Sequence, residues 1–269
     1  MRDFEHEYAQ LIFKILEHGD YRPTRNVPTR SLFGMSLIVD NVATAFPLIQ
    51  GRKMFPKGIF GEFAAFVRQP KHVDDFEKWG CNYWKDWADE DGSLNIDYGN
   101  AWFNFGNFNQ VEDLKAKLRL NPTDRRMIIN SWIPPHLADL SLPCCHYSYQ
   151  FYVRENKYLD MIWIQRSVDM MVGLPSDIVL AALFLITLGN EFGYKPGRIK
   201  MDLGDCHVYE NHINEATEYI HRVFANPKLP PVLYEYKADK ATPFEEFTPD
   251  MLWLGEYSHL DKIDLELNA

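Results

Sequence analysis

The chain has 269 residues, a net charge of −10, 46% hydrophobic and 14% aromatic side chains. That length fits one large α/β or α+β domain or two small ones, and the apolar content can bury a substantial core, which excludes global disorder. The acidic balance argues against broad binding to nucleic-acid backbones, which need a basic face, but a local arginine cluster can still hold a small anion.

Residues 7–18 place Leu11, Ile12, Ile15 and Leu16 on one helical stripe, stopped by Gly19. A loop rich in proline and arginine follows from Tyr21 to Arg30, then a strand-like run over 31–39. Residues 57–69 predict a buried helix and 75–88 a second, aromatic-rich helix ending at the turn signal DEDG. Asn121-Pro122-Thr123-Asp124 predicts a turn before a strand at 127–133, and 147–153 and 158–165 read as strands rich in aromatic and branched residues. A buried helix is expected over 178–191, a strand over 199–203 and an amphipathic helix over 213–224. No repeat, low-complexity tract or linker interrupts this order, so one α+β domain over 1–269 is expected. Four cysteines without CxxC spacing disfavour a zinc knuckle or a disulfide framework and suit a reducing cytoplasm. MRDFEHEY has no apolar signal core, and the longest apolar run, Ile178 to Ile186, is too short for a membrane span. A soluble cytoplasmic protein without a membrane or nucleic-acid partner is expected.

Several side chains ask for a chemical reason. Cys144 and Cys145 fit small core positions, yet Cys145 follows Pro143 at a strand start, and Arg166 ends the next strand, where its charge would favour a thiolate. Glu62 lies in the apolar run GIFGEFAAFV, where a carboxylate needs either an ion-pair partner or an acid/base task. Arg125-Arg126 beside Asp124 fits a solvated pair. His207 and Tyr209 alternate along a strand and so face one side. Their spacing with His212 gives no metal-ligand face, and no metal is expected. Asp177, after Pro175-Ser176 at a helix start, fits a capping residue, as does Ser176.

These residues fall in ordered motifs that resemble the thymidylate synthase family. Pro143, Cys145-His146 and Gln150-Phe151-Tyr152-Val153 resemble its nucleophile motif. Gln165-Arg166-Ser167 with Asp169, Gly173 and Pro175 resembles its phosphate motif, and Gly204 to Tyr209 with Asn211-His212 its ribose-binding strand. Arg25, Trp84, Trp87-Ala88-Asp89-Glu90, Tyr98-Gly99 and Arg125-Arg126 fall in family order, so the resemblance runs from about residue 7 to the C-terminus. It implies a mixed twisted sheet packed by helices, an obligate homodimer through that sheet, and methylenetetrahydrofolate as co-substrate. Cys145 would be the nucleophile, with Glu62, Tyr98, His146 and Asp177 as the other catalytic residues. Arg25, Gln165, Arg166, Ser167, His207 and Tyr209 would bind the nucleotide, with Arg125 and Arg126 contributed across the dimer interface. Trp84, Asp169, Gly173 and Arg52, with Lys53, would meet the folate. Ser176, Phe55 and His259-Leu260 depart from the family's phenylalanine, histidine and His-Pro.

Asp177 also occupies the family's base-reading asparagine position. Cytosine presents a 4-amino donor and an N3 acceptor, where uracil presents the reverse. The same aspartate occurs in the deoxycytidylate hydroxymethylase branch, known from T-even bacteriophages. The resemblance therefore implies C5 hydroxymethylation of dCMP, in the host cytoplasm if the chain is phage-encoded. Methylation of dCMP, use of dUMP and non-catalytic nucleotide binding stand as alternatives.

Overall fold

The computed structural model describes residues 3–24, 26–40 and 42–268. Helix α1 (Phe4–His18) is capped by Asp3, whose carboxylate accepts the His6 amide, and it buries Leu11, Ile12 and Ile15 of the predicted stripe together with Tyr8, while Leu16 is half-buried. Strands β1 (Asp20–Arg22), β2 (Thr29–Val39), β3 (Ile128–Asn130), β4 (His146–Arg154), β5 (Tyr158–Asp169) and β6 (Lys195–Tyr209) form one mixed sheet in the order β1-β2-β6-β5-β4-β3. Every neighbouring pair is antiparallel except β5 and β6. A parallel pair needs a crossover, and α6 (Gly173–Phe192) supplies it. The expected α+β class with a helix-packed mixed sheet is therefore observed.

Helix α6 is apolar around nearly its whole circumference, because it packs on β5 and β6 on one side and on α2 (Pro56–Phe66) on the other. By length and composition it would pass for a membrane span, but it is buried as a core helix. The core joins its face to Phe63, Trp102, Tyr149 and Trp163, with Phe184 against Phe63 and Trp102. Strand β5 alternates cleanly: Leu159, Met161, Trp163 and Gln165 face this core, while Ile162 and Ile164 stay half-buried on the other face. Tyr152 on β4 is 61% exposed.

Three expectations need correction. Residues 75–88 are not one helix: α3 (Val73–Glu77) stops, Gly80 takes a left-handed φ of 85° that breaks the chain direction, and a 3-10 turn follows at Tyr83–Trp87. The buried helix begins at Gly173 rather than 178, since a proline in the first turn loses no intrahelical bond. Residues 110–120, to which the periodicity assigned no element, form α5, with Val111, Leu114 and Leu118 inward and its charges outward except the buried Lys115. Short α4 (Asn100–Phe103), α7 (Ile213–Ala225) and a two-stranded ribbon of β7 (Tyr234–Tyr236) and β8 (Leu252–Leu254) complete the fold.

Candidate active site

In an open sheet, ligands collect at the carboxyl ends of parallel strands. Here β5 and β6 run side by side, pairing Ser167 with Asp205 and Asp169 with His207, and α6 starts directly after β5. Gly204 permits this close approach, because a Cβ there would lie 2.7 Å from the Arg166 carbonyl oxygen. A cleft of about 300 Å3 opens at this end, lined by Arg22, Thr29, Ser167, Asp205, His207 and Tyr209 among others, and also by Asn268 of the tail. A second cleft of about 310 Å3, between α1, α7 and residues 226–232, contains none of the candidate residues.

Cys145 lies just before β4 and is hydrogen-bonded to Arg166, the residue that precedes Ser167 of the cleft lining. The β4–β5 register shifts between His146 and Ser148, a bulge that turns the chain next to Cys145. The Arg166 amide donates to the Cys145 carbonyl at 2.8 Å. The Arg166 guanidinium donates to the carbonyls of Cys144 and Pro143, each at 2.9 Å, and lies 5.2 Å from the Trp132 ring. Tyr98 accepts the Cys145 amide and hydrogen-bonds its thiol. Burial raises the Cys145 thiol pKa, and the Arg166 charge and the Tyr98 bond oppose that shift. Cys144 is fully buried with a strongly raised pKa, which suits a packing residue.

Two carboxyl groups flank the same region. Glu62 is buried on α2; Trp84 Nε1–H donates to Oε1 and the Tyr83 hydroxyl to Oε2, each at 2.8 Å. Burial lifts its pKa to about 7 despite both donors. Asp177, equally buried, accepts from Gln165 Nε2 at 2.7 Å through Oδ2, and its Oδ1 lies 3.8 Å from His146 Nε2. Burial lifts its pKa to about 8. Tryptophan can only donate, and Trp163 Nε1–H donates to Gln165 Oε1 at 3.0 Å. That bond fixes the amide orientation and leaves Nε2 to face Asp177. His146 contacts the Tyr149 hydroxyl at 2.6 Å and is held neutral by burial, with a pKa pushed down to about 3.

Asp177 therefore does not cap the helix. It lies at the fifth helical position, and the turn into α6 is closed instead by Asp169 Oδ1, which accepts from Met171 N and Val172 N at 2.9 and 3.2 Å. Ser176 donates to the Val172 carbonyl inside the same turn. Gly173 opens the helix close to Asp169 and Asp177.

The remaining expected residues divide. His207 is buried beside Asp205, 3.5 Å from Nδ1 to Oδ1, and Tyr209 lines the cleft with it. Gln165 faces inward to Asp177 rather than into the cleft. Trp84 is buried, stacked on Phe76 and bonded to Glu62. Arg52 is buried, donating to the Met171 carbonyl at 2.6 Å, while its Nε–H has no hydrogen-bond partner among the described residues. Lys53 lies over the exposed Phe55 ring. Arg25 lies outside the described residues. Arg125 and Arg126 sit on the loop before the edge strand β3, away from the cleft lining, and Arg126 forms a two-bond pair with Asp124. Tyr83 and Trp132 escaped the sequence reading; neither belongs to a chemical motif, and only the fold brings them to Glu62 and Arg166.

The thymidylate synthase family model matches residues 6–269. The chain belongs to the thymidylate synthase family, whose enzymes transfer a one-carbon unit from methylenetetrahydrofolate to a pyrimidine nucleotide.

Proposed function

We propose that this protein hydroxymethylates dCMP at C5, with Cys145 adding to C6 of the base. The observation that carries the choice of base is Asp177 itself: a buried carboxyl, held by Gln165, that caps nothing. As a neutral acid it accepts from the cytosine 4-amino group and donates to N3. As a carboxylate it accepts both the amino group and the proton that N3 gains when C6 is attacked. An ionised Asp177 faces uracil O4 without a donor. That leaves one mismatch, because uracil N3–H still donates to the carboxylate, and a mispaired buried polar group costs ~1–3 kcal/mol, or roughly tenfold to a hundredfold in discrimination.

The cleft suits the rest of the nucleotide. Ser167 and Arg22 line it as donors for a phosphate dianion, with Arg166 next to Ser167 on β5, and His207 and Tyr209 lie on one strand for the sugar. Methylenetetrahydrofolate supplies the one-carbon unit. The unpartnered Arg52 Nε–H, buried beside the Met171-to-Gly173 turn, fits an acceptor on that co-substrate. Glu62, neutral below about pH 7 and ionised above, moves protons at the pyrimidine. Water reaching the exocyclic methylene yields the hydroxymethyl product, whereas hydride from the folate yields 5-methyl-dCMP.

The one domain works here as a homodimer. Ile162, Ile164 and Tyr152 place apolar side chains on the second sheet face, interleaved with Lys200 and Asp202 at the paired positions of β6, and a second copy covers it. Arg125 and Arg126 then serve the neighbouring cleft.

A second reading has its own support. Below about pH 8 the neutral Asp177 can also donate to uracil O4. Turnover of dUMP is then expected to fall as Asp177 ionises through about pH 8, leaving dCMP preferred at alkaline pH. The test is a comparison of kcat/KM for dCMP and dUMP in wild type and in Asp177→Asn. The variant is expected to shift preference toward dUMP by roughly tenfold to a hundredfold; an unchanged ratio contradicts the base-reading role.

A further inference from the structure

We propose that Tyr83 is the positioning residue of the Glu62 carboxyl: its hydroxyl fixes which oxygen can carry the proton and reverses its own hydrogen bond when that proton arrives. The proposal rests on the reading of Glu62 as the proton-moving group at the pyrimidine.

The argument starts from donor chemistry. Glu62 projects from a helix whose neighbours Ile59, Phe60, Phe63 and Phe66 are buried, so protein groups must satisfy its oxygens. Trp84 Nε1–H donates to Oε1 and can never accept, so Oε1 must stay a bare acceptor. A phenol can donate or accept, so Oε2 is the oxygen that can gain a proton with both contacts kept. In the ionised state the Tyr83 O–H points to Oε2. In the protonated state Oε2–H donates to the phenol oxygen, and the phenol hydrogen needs another acceptor. Cys81 is the neighbour that provides it: its buried thiol interacts with the Tyr83 hydroxyl, and sulfur is a weak acceptor. The Tyr83 ring is 36% exposed, but desolvation at its hydroxyl end and the neighbouring Glu62 charge raise its pKa, as they do for the buried Cys81 thiol, so neither competes for the charge. No covalent bond in Tyr83 breaks; its O–H swings from Oε2 to Sγ. Glu62 thus takes and releases a proton without turning its carboxyl.

The two partners act on opposite protonation states, which gives the test its sign. Tyr83 donates to the ionised form, so Tyr83→Phe is expected to move the acidic limb of the kcat–pH profile up by about one pH unit. At pH 7, near the wild-type midpoint, kcat falls roughly fivefold and nucleotide KM stays within about twofold. Cys81 serves the protonated form, so Cys81→Ala is expected to move the same limb down by a few tenths of a unit. Cys81→Ser, which keeps an acceptor, restores the wild-type position. Release of tritium from C5-labelled nucleotide, with methylenetetrahydrofolate present, reports the rate. An unmoved limb in Tyr83→Phe, or the same direction of shift in Tyr83→Phe and Cys81→Ala, overturns the proposal. Should Tyr83→Phe not fold, the downward shift in Cys81→Ala and its return in Cys81→Ser decide it alone. Full tritium release by Glu62→Gln instead overturns the reading of Glu62 on which the proposal rests.

Discussion

Replacing Asp177 by asparagine should stabilise the protein, and increasingly so as the pH rises. In the fold the Asp177 carboxyl stays neutral up to about pH 8, whereas its ordinary value is 3.8. Between those two values the unfolded chain has released a proton that the folded chain still holds. Each step up in pH through that window therefore favours unfolding, and the penalty is complete above about pH 8. The destabilisation grows by on the order of 3–4 kcal/mol between pH 5 and pH 8. Asparagine has no such titration and can keep the Gln165 bond through its own amide oxygen. At roughly 2–4 °C per kcal/mol, the Tm advantage of Asp177→Asn should widen by about 6–15 °C from pH 5 to pH 8. Thermal melts of both proteins across that range, without nucleotide, measure it. Glu62 titrates in both proteins, so the difference between the two curves isolates Asp177. Parallel Tm curves would refute the reasoning, because they would mean that the carboxyl is ionised or solvated in the fold.

Lys115 is buried between Glu191 and Glu245, at 3.0 and 2.6 Å, and ties α5 to the end of α6. Lys115→Met leaves two carboxylates facing each other, and a loss of ~3–5 kcal/mol in a urea melt is expected. Trp132 stacks over the Arg166 guanidinium; Trp132→Leu should raise nucleotide KM several-fold, up to roughly tenfold, with a smaller change in kcat. Cys145→Ser should lose nearly all turnover. Cys144→Ser keeps the carbonyl that holds Arg166 and should retain most of it, although the buried hydroxyl lowers Tm. Equal activity of the two variants contradicts the assignment of the nucleophile.

The long periodic elements were legible in the sequence because burial on one face writes directly into it. The α1 stripe, the alternating β5 and the apolar α6 are examples. Boundaries were harder where one residue outweighs the pattern. Gly80 breaks an apparent helix at 75–88, and Pro175 looks like a breaker although a first turn tolerates it. The site divides in the same way. Cys145, Arg166 and Glu62 stand out by residue type and spacing. Asp177 read from the sequence as a helix cap or, by family register, as the base-reading position; its place inside α6 and its bond from Gln165 depend on the pairing of β5 with β4 and β6. Gln165, read from the sequence as a nucleotide contact, is turned by strand alternation to the inner face beside Trp163, where its amide donates to Asp177. Tyr83 was invisible because its partner is twenty-one residues away, across a break that only the fold closes.

The most direct test incubates the protein with methylenetetrahydrofolate and dCMP and reads the product by mass spectrometry, with dihydrofolate absorbance followed in parallel. The account predicts a nucleotide heavier by CH2O, 5-hydroxymethyl-dCMP, formed without dihydrofolate. A product heavier only by CH2 with matching dihydrofolate, or turnover of dUMP but not dCMP, would contradict it.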